Sequence, residues 1–187
     1  MSLLRQLRLF HRCYLSKPSA DRTIYRAIRR EGLHRIVELG IGDGRRALRM
    51  IEVAQSARSP EQVFYVGIDP FEGGSADSGT GSQGLTLKAA YQRLRATGAR
   101  IQLLPGNPAD SLVRAANSLG KVDLLIVPAE LDSPMHARVW LFVPRMLHEQ
   151  SLVVSRRALD DGNTAVRLMT RSEVDARAAA GVTRRAA

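Results

Sequence analysis

The stretch Arg35–Ala47 reads RIVELGIGDGRRA. Ile36, Val37 and Leu39 make a short apolar run suited to a buried strand, and the run carries one acid, Glu38. Gly40, Gly42 and Gly44 follow on alternate positions, after which helix-forming residues begin. Glycine lacks a Cβ, so such a turn accepts unusual dihedrals and lets a ligand come close to the backbone. In an open α/β sheet, ligands bind beyond the carboxyl ends of the strands, where this turn would lie. The turn alone leaves the ligand open among a dinucleotide, a mononucleotide and an adenosyl compound.

The same alternation extends outward in both directions. Upstream, SADRTIYRAIRREG (19–32) reads as a helix with Ser19 as cap, Ile24, Tyr25 and Ile28 as its apolar stripe, and Gly32 as its stop. Downstream, a helix over about 45–57 leads to a second strand, VFYVGID (63–69). After a glycine- and serine-rich loop at 73–84, the pattern predicts a helix at 85–97, a strand ending in LLPG and a short helix closed by Gly120. VDLLIVP (122–128) is the fourth strand, and 133–149 reads as a helix that Pro144 should kink or restart. SLVVS (151–155) and NTAVRLMT (163–170) complete six strands, with a last helix or a frayed tail beyond. Strands alternating with helices predict an α/β fold, a Rossmann-like three-layer sandwich with a mostly parallel sheet. One domain is expected over 1–187, with 1–34 as an N-terminal helical extension.

Spacing narrows the ligand. A dinucleotide fingerprint would require glycine at position 45, which is Arg45. The pattern found is G-x-G-x-G preceded by Glu38, and VELGIGDG resembles the first motif of the class I methyltransferases that use S-adenosylmethionine. The resemblance spans about 22–155 and rests on the order of elements more than on any single motif. It implies S-adenosyl-L-methionine as cofactor bound at the turn of Gly40, Gly42 and Gly44, with Gly40 and Gly42 admitting its methionine part and Glu38 orienting that part's amino group through water or direct contact. It also implies that Asp69, 25 residues beyond Gly44 at the end of the second strand, holds the ribose hydroxyls. Asn107, in GNPAD after strand three, stands where the family commonly contacts the adenine amino group, often with an Asp.

The catalytic constellation is thinner. PAELDSPMH follows strand four, and Glu130 or Asp132 could serve as general base for a hydroxyl acceptor. Some O-methyltransferases of this fold hold a divalent metal with an acid after strand four and an Asp-Asn pair after strand five. Here LDDGN lacks that adjacent pair and lies far from SLVVS, so no metal is expected. VPAE replaces the N/D-P-P-Y/F motif of amino methyltransferases, which turns the expectation away from an exocyclic nitrogen acceptor. The family usually ends with an antiparallel strand pair, and the 32 residues after Ser155 suffice for one strand and a short helix. A trimmed sheet edge would invite cover by a second subunit, so a homodimer is expected.

Composition sets the remaining bounds. The single cysteine, Cys13, excludes an intramolecular disulfide, and a reducing, cytoplasmic setting is the simple reading. No apolar run approaches the length that spans a bilayer. Leu3, Leu7, Phe10 and Tyr14 recur at helical spacing among Arg5, Arg8 and Arg12, which predicts a short amphipathic helix packed on its own domain, with a membrane surface or a partner as the alternative. The net charge of +10 concentrates in residues 1–60, which hold 13 basic against 5 acidic residues. Such a charge suits RNA, although no basic run is interleaved with aromatics. The leading expectation is therefore a methyltransferase for an unidentified small-molecule acceptor. Its rivals are a non-catalytic binding protein of the same fold and an RNA methyltransferase or RNA-binding protein. The 73–84 loop is either a lid over the site or a tolerated insertion.

Overall fold

The computed structural model describes residues 3–71, 85–132, 136–159 and 164–185. The chain begins with α1 (Leu3–Phe10), runs through a π-helical turn (His11–Leu15) and continues as α2 (Asp21–Glu31). Then β1 (Arg35–Leu39), α3 (Arg45–Ala54), β2 (Phe64–Asp69), α4 (Leu87–Arg95), β3 (Arg100–Pro105) and α5 (Pro108–Ala115) alternate. The second half comprises β4 (Val122–Pro128), α6 (Ala137–Trp140), α7 (Val143–Met146), β5 (Leu147–Ala158), β6 (Thr164–Met169) and α8 (Arg171–Arg185).

Six strands form one sheet in the order β3-β2-β1-β4-β5-β6. All neighbours are parallel except β5 and β6. The reversal of strand order beside β1 puts the glycine turn at the topological switch point. The three-layer prediction holds, and among the described residues β6 is the one antiparallel strand, at the edge of the sheet beside β5. Alternation along the strands divides the core. Ile36, Tyr65, Leu124, Ile126 and Val154 face a cluster built with α1 to α4. Val37, Leu39, Val66, Ile68, Leu125 and Val153 face the cluster of α5 to α8. Successive side chains of a strand point to opposite faces, so the run VDLLIVP supplies both layers.

Three elements differ from expectation. The helix expected over 133–149 restarts at Pro144, which sits in the first turn of α7 where a missing N–H costs nothing, but it ends already at Met146. Strand five consequently starts at Leu147 and runs 12 residues, with Ser151 Oγ accepting from His148 N (2.7 Å) and donating to Val122 O (2.6 Å) across a register shift. The cap of α2 is Ala20 rather than Ser19, with no side-chain bond, while Gly32 ends that helix in the left-handed region as expected. On α1 the outcome is reversed. Leu9 and Cys13, one helical turn apart, are the buried side, and Leu3, Leu7, Phe10 and Tyr14 are exposed.

Candidate functional site

The turn that leaves the carboxyl end of β1 is hydrogen-bonded to the carboxyl end of β2. Gly40, Gly42 and Gly44 have φ of +76°, +59° and +73°, three left-handed positions separated by Ile41 and Asp43. A side chain at Gly44 would press on Leu85, whereas one at Gly40 or Gly42 would meet nothing within 4 Å. The turn therefore presents open backbone at its first two glycines and packs tightly at its third. Gly67 on β2 is required for a different reason, because a Cβ there would fall 2.4 Å from Ile41 Cδ1. Ile41 thus anchors the turn by filling the place of the absent side chain.

Asp69, the last residue of β2, faces this turn. Its Oδ2 accepts from Ile41 N (2.8 Å) and Gly42 N (3.3 Å), and its Oδ1 accepts from Phe71 N (3.0 Å). Gly40 N donates to Ile68 O at 2.8 Å, so the turn is stitched to β2 by main chain and carboxylate together. Phe71 is held at φ +53°, a strained position for an aromatic residue, with its ring buried in the core. An ionised carboxylate offers about four lone-pair positions. Three backbone N–H groups take all but one.

Glu38 is fully buried on the β1 face shared with Ile36. Its carboxylate accepts from Arg46 Nε on one oxygen and from Tyr65 Oη on the other. Arg46 also reaches Gly40 O at 2.9 Å, linking the acid to the turn. Burial raises the Glu38 pKa above the ordinary carboxylate range, with the Arg46 charge and the Tyr65 hydroxyl working against that rise. Burial, then the Glu38 charge, pushes the Tyr65 phenol well up. Arg156 of β5 lies in the same field, bonded to Asp21 of α2 at 3.3 Å, and its Nε is buried with no hydrogen-bond partner among the described residues. Burial and the nearby Arg46 charge lower the Arg156 pKa. Tyr25 of α2 is buried beside Asp21, and burial followed by that charge pushes its pKa up to about 12.

Asn107 leads α5 at the exit of β3 and caps it, its Oδ1 accepting from Ala109 N (2.9 Å) and Asp110 N (3.4 Å). The carbonyl side of that amide thus serves the helix. Glu130 is exposed on the short 3₁₀ turn Ala129–Asp132 that follows β4. Asp132 shares the turn. Asp160, Asp161, Asn163 and the 73–84 loop lie outside the described residues. No group of three His, Cys, Asp or Glu among the described residues could hold a metal ion. The structure thus brings the glycines, Glu38 and Asp69 together at one end of the sheet.

The sequence reading missed Arg46, Tyr65, Arg156 and Asp21. An acid inside an apolar strand signals a buried partner. Nothing local says which arginine answers it.

No protein-family model matches the chain, and no curated protein matches it. Solved structures do. An O-methyltransferase from Bacillus cereus in complex with SAH superposes with a TM-score of 0.55 at 10% identity, over 87% of this chain and 70% of that one. TomG, an O-methyltransferase of tomaymycin synthesis from Streptomyces achromogenes in complex with SAM, gives 0.53 at 14%, over 83% and 66%. A candidate caffeoyl-CoA O-methyltransferase from Staphylococcus aureus gives 0.52 at 16%, also over 83% and 66%. The chain therefore spans about two thirds of the length of these proteins. It has the class I methyltransferase fold.

Proposed function

We propose that the chain is an S-adenosylmethionine-dependent methyltransferase acting on a small-molecule acceptor. The observation that carries this reading is the turn at 40–44, open at Gly40 and Gly42 and faced by the Asp69 carboxylate at the switch point of the sheet. The residues fit an adenosyl ligand. The first two glycines leave space against the backbone, and Asp69 keeps one acceptor position for a ribose hydroxyl. Bound there, the cofactor would supply an electrophilic methyl group on a sulfonium whose departure needs no acid.

The work left to the protein is placement and, for a hydroxyl acceptor, removal of one proton. Glu38 acts indirectly. By fixing Arg46 against Gly40 O it sets the shape of the turn, which differs from a direct contact with the amino group. Glu130, exposed after β4, would take that proton, with Asp132 as the alternative. Asn107 would offer its amide N–H to the adenine while its carbonyl caps α5. The O-methyltransferases among the structural neighbours make hydroxyl compounds the first acceptors to screen.

Calorimetry with S-adenosylmethionine and S-adenosylhomocysteine tests the reading. Binding is expected, with Asp69→Ala weakening it at least about tenfold, or roughly 1.4 kcal/mol. Absence of heat up to millimolar ligand would overturn it. Binding without methyl transfer to any acceptor would favour the non-catalytic alternative.

A further inference from the structure

Among the described residues ten large apolar side chains are exposed, and six of them fall between positions 3 and 15. Leu3, Leu4, Leu7, Phe10 and Tyr14 are 45–71% exposed, and Phe10 and Tyr14 rest against each other with ring centroids 5.0 Å apart. Their spacing places Leu3, Leu7 and Phe10 on one side of α1. The opposite side, Leu9, is already committed to the core, as is Cys13 in the following turn. An apolar face of this size on a helix that has its own core contact is a surface for something else.

Charge identifies the occupant. Residues 3–34 carry eight arginine or lysine side chains against two acids. Asp21 is buried on Arg156, Glu31 offsets Arg30 and Glu52 of α3 pairs with Arg12, which leaves a net excess of exposed arginine on this face. Arg26, Arg29 and Arg30 are exposed and line a shallow depression with Tyr14, at the end of the apolar ridge. Arg8 of α1 is exposed as well. A second copy docking through this ridge would present the same arginine-rich face and add net positive charge to the contact. An anionic lipid surface satisfies both halves of the pattern, since an interfacial helix sinks its apolar side among the acyl chains while basic groups meet the headgroups.

We propose that α1 and the turn after it form a peripheral membrane anchor for anionic bilayers. No helix among the described residues is long and apolar enough to cross a membrane, so the association is with one leaflet. The anchor holds the domain at the surface through the ridge, and the arginines of α2 select negative headgroups.

The test is flotation of the full chain with phosphatidylcholine vesicles, with and without phosphatidylglycerol, at low and high salt. Binding is expected to anionic vesicles at low salt, falling as salt screens the arginines. Leu7→Glu/Phe10→Glu is expected to lower it at least about tenfold, and so is Arg26→Glu/Arg29→Glu. All four positions are exposed, so thermal melts of both variants should match the parent. No binding to anionic vesicles at low salt would overturn the proposal. So would equal binding of the Leu7→Glu/Phe10→Glu variant, which would reduce the effect to charge. Light scattering that shows a dimer dissolved by Leu7→Glu/Phe10→Glu, with no vesicle binding, would assign the ridge to a second copy instead. A protein captured through the ridge without vesicle binding would equally contradict it. None of these outcomes depends on whether the glycine turn binds a cofactor.

Discussion

The two ends of β1 are tied by the same device and differ in what closes it. At the carboxyl end, Asp69 from β2 accepts from the consecutive N–H groups of Ile41 and Gly42. At the amino end, Asp123 from β4 accepts from the consecutive N–H groups of His34 and Arg35, at 2.8 and 2.9 Å. There the carboxylate is also bonded by side chains, and with His34, His148 and Arg58 it lines a cavity of about 490 Å³. His148 Nε2 bonds its other oxygen at 3.0 Å, and His34 Nδ1 lies 3.0 Å from the first. At the carboxyl end glycines stand where such side chains would be. The two joints therefore differ in their bonding partners, imidazoles at one carboxylate and only backbone N–H groups at the other.

The largest effect is expected inside the carboxyl end. Glu38→Ala leaves Arg46 buried without its anion and should cost about 3–5 kcal/mol, read from chemical denaturation. A loss below 1 kcal/mol would mean the acid is not the centre of the network. Next, Asp69→Ala and Asp123→Ala should each cost about 1–3 kcal/mol, since each strands two or more backbone N–H groups. Only Asp69→Ala should weaken adenosyl ligand binding, and equal losses of affinity would break the comparison. A smaller effect, about 1–2 kcal/mol, is expected for Gly40→Ala, because the left-handed backbone resists a Cβ although the space around it is free. In calorimetry that variant should lose affinity out of proportion to its stability.

The smallest effect is a dependence on pH. Burial opposes ionisation of Asp123, but the N–H groups of His34 and Arg35 and the His148 ring outweigh it and hold the carboxyl below its ordinary value. A depressed folded-state pKa contributes stability that is present above the unfolded value and is lost as pH falls through the folded one. Thermal melts should therefore show the parent losing stability below about pH 4 in excess of Asp123→Asn. Parallel curves for the two would remove Asp123 as a charged joint.

The strands with continuous apolar runs could be read from sequence because each must feed two core layers, as RIVEL, VFYVGID and VDLLIVP do. The region from His136 to Gln150 could not. A proline in a first turn and the polar stretch HEQ leading β5 look alike whether the chain continues a helix or starts a strand. The N-terminal helix was readable as amphipathic, but the apolar stripe was the exposed one, since Leu9 and Cys13 suffice for its core contact. In the site, Gly40, Gly42, Gly44 and Asp69 announced themselves by position at strand ends. That Asp69 spends most of its acceptor capacity on the turn did not, nor did the pairing of Glu38 with Arg46 and Tyr65, made across 8 and 27 residues. Such pairings depend on which side chains share one face of the sheet, and only the assembled register sets that.

The most direct test of the account is the amide NMR spectrum of the protein titrated with S-adenosylhomocysteine. The account predicts saturable shifts of the Gly40, Gly42 and Gly44 amides with His34 and Arg35 unmoved. Shifts confined to the amino end of the sheet, or an unchanged glycine turn at millimolar ligand, would contradict it.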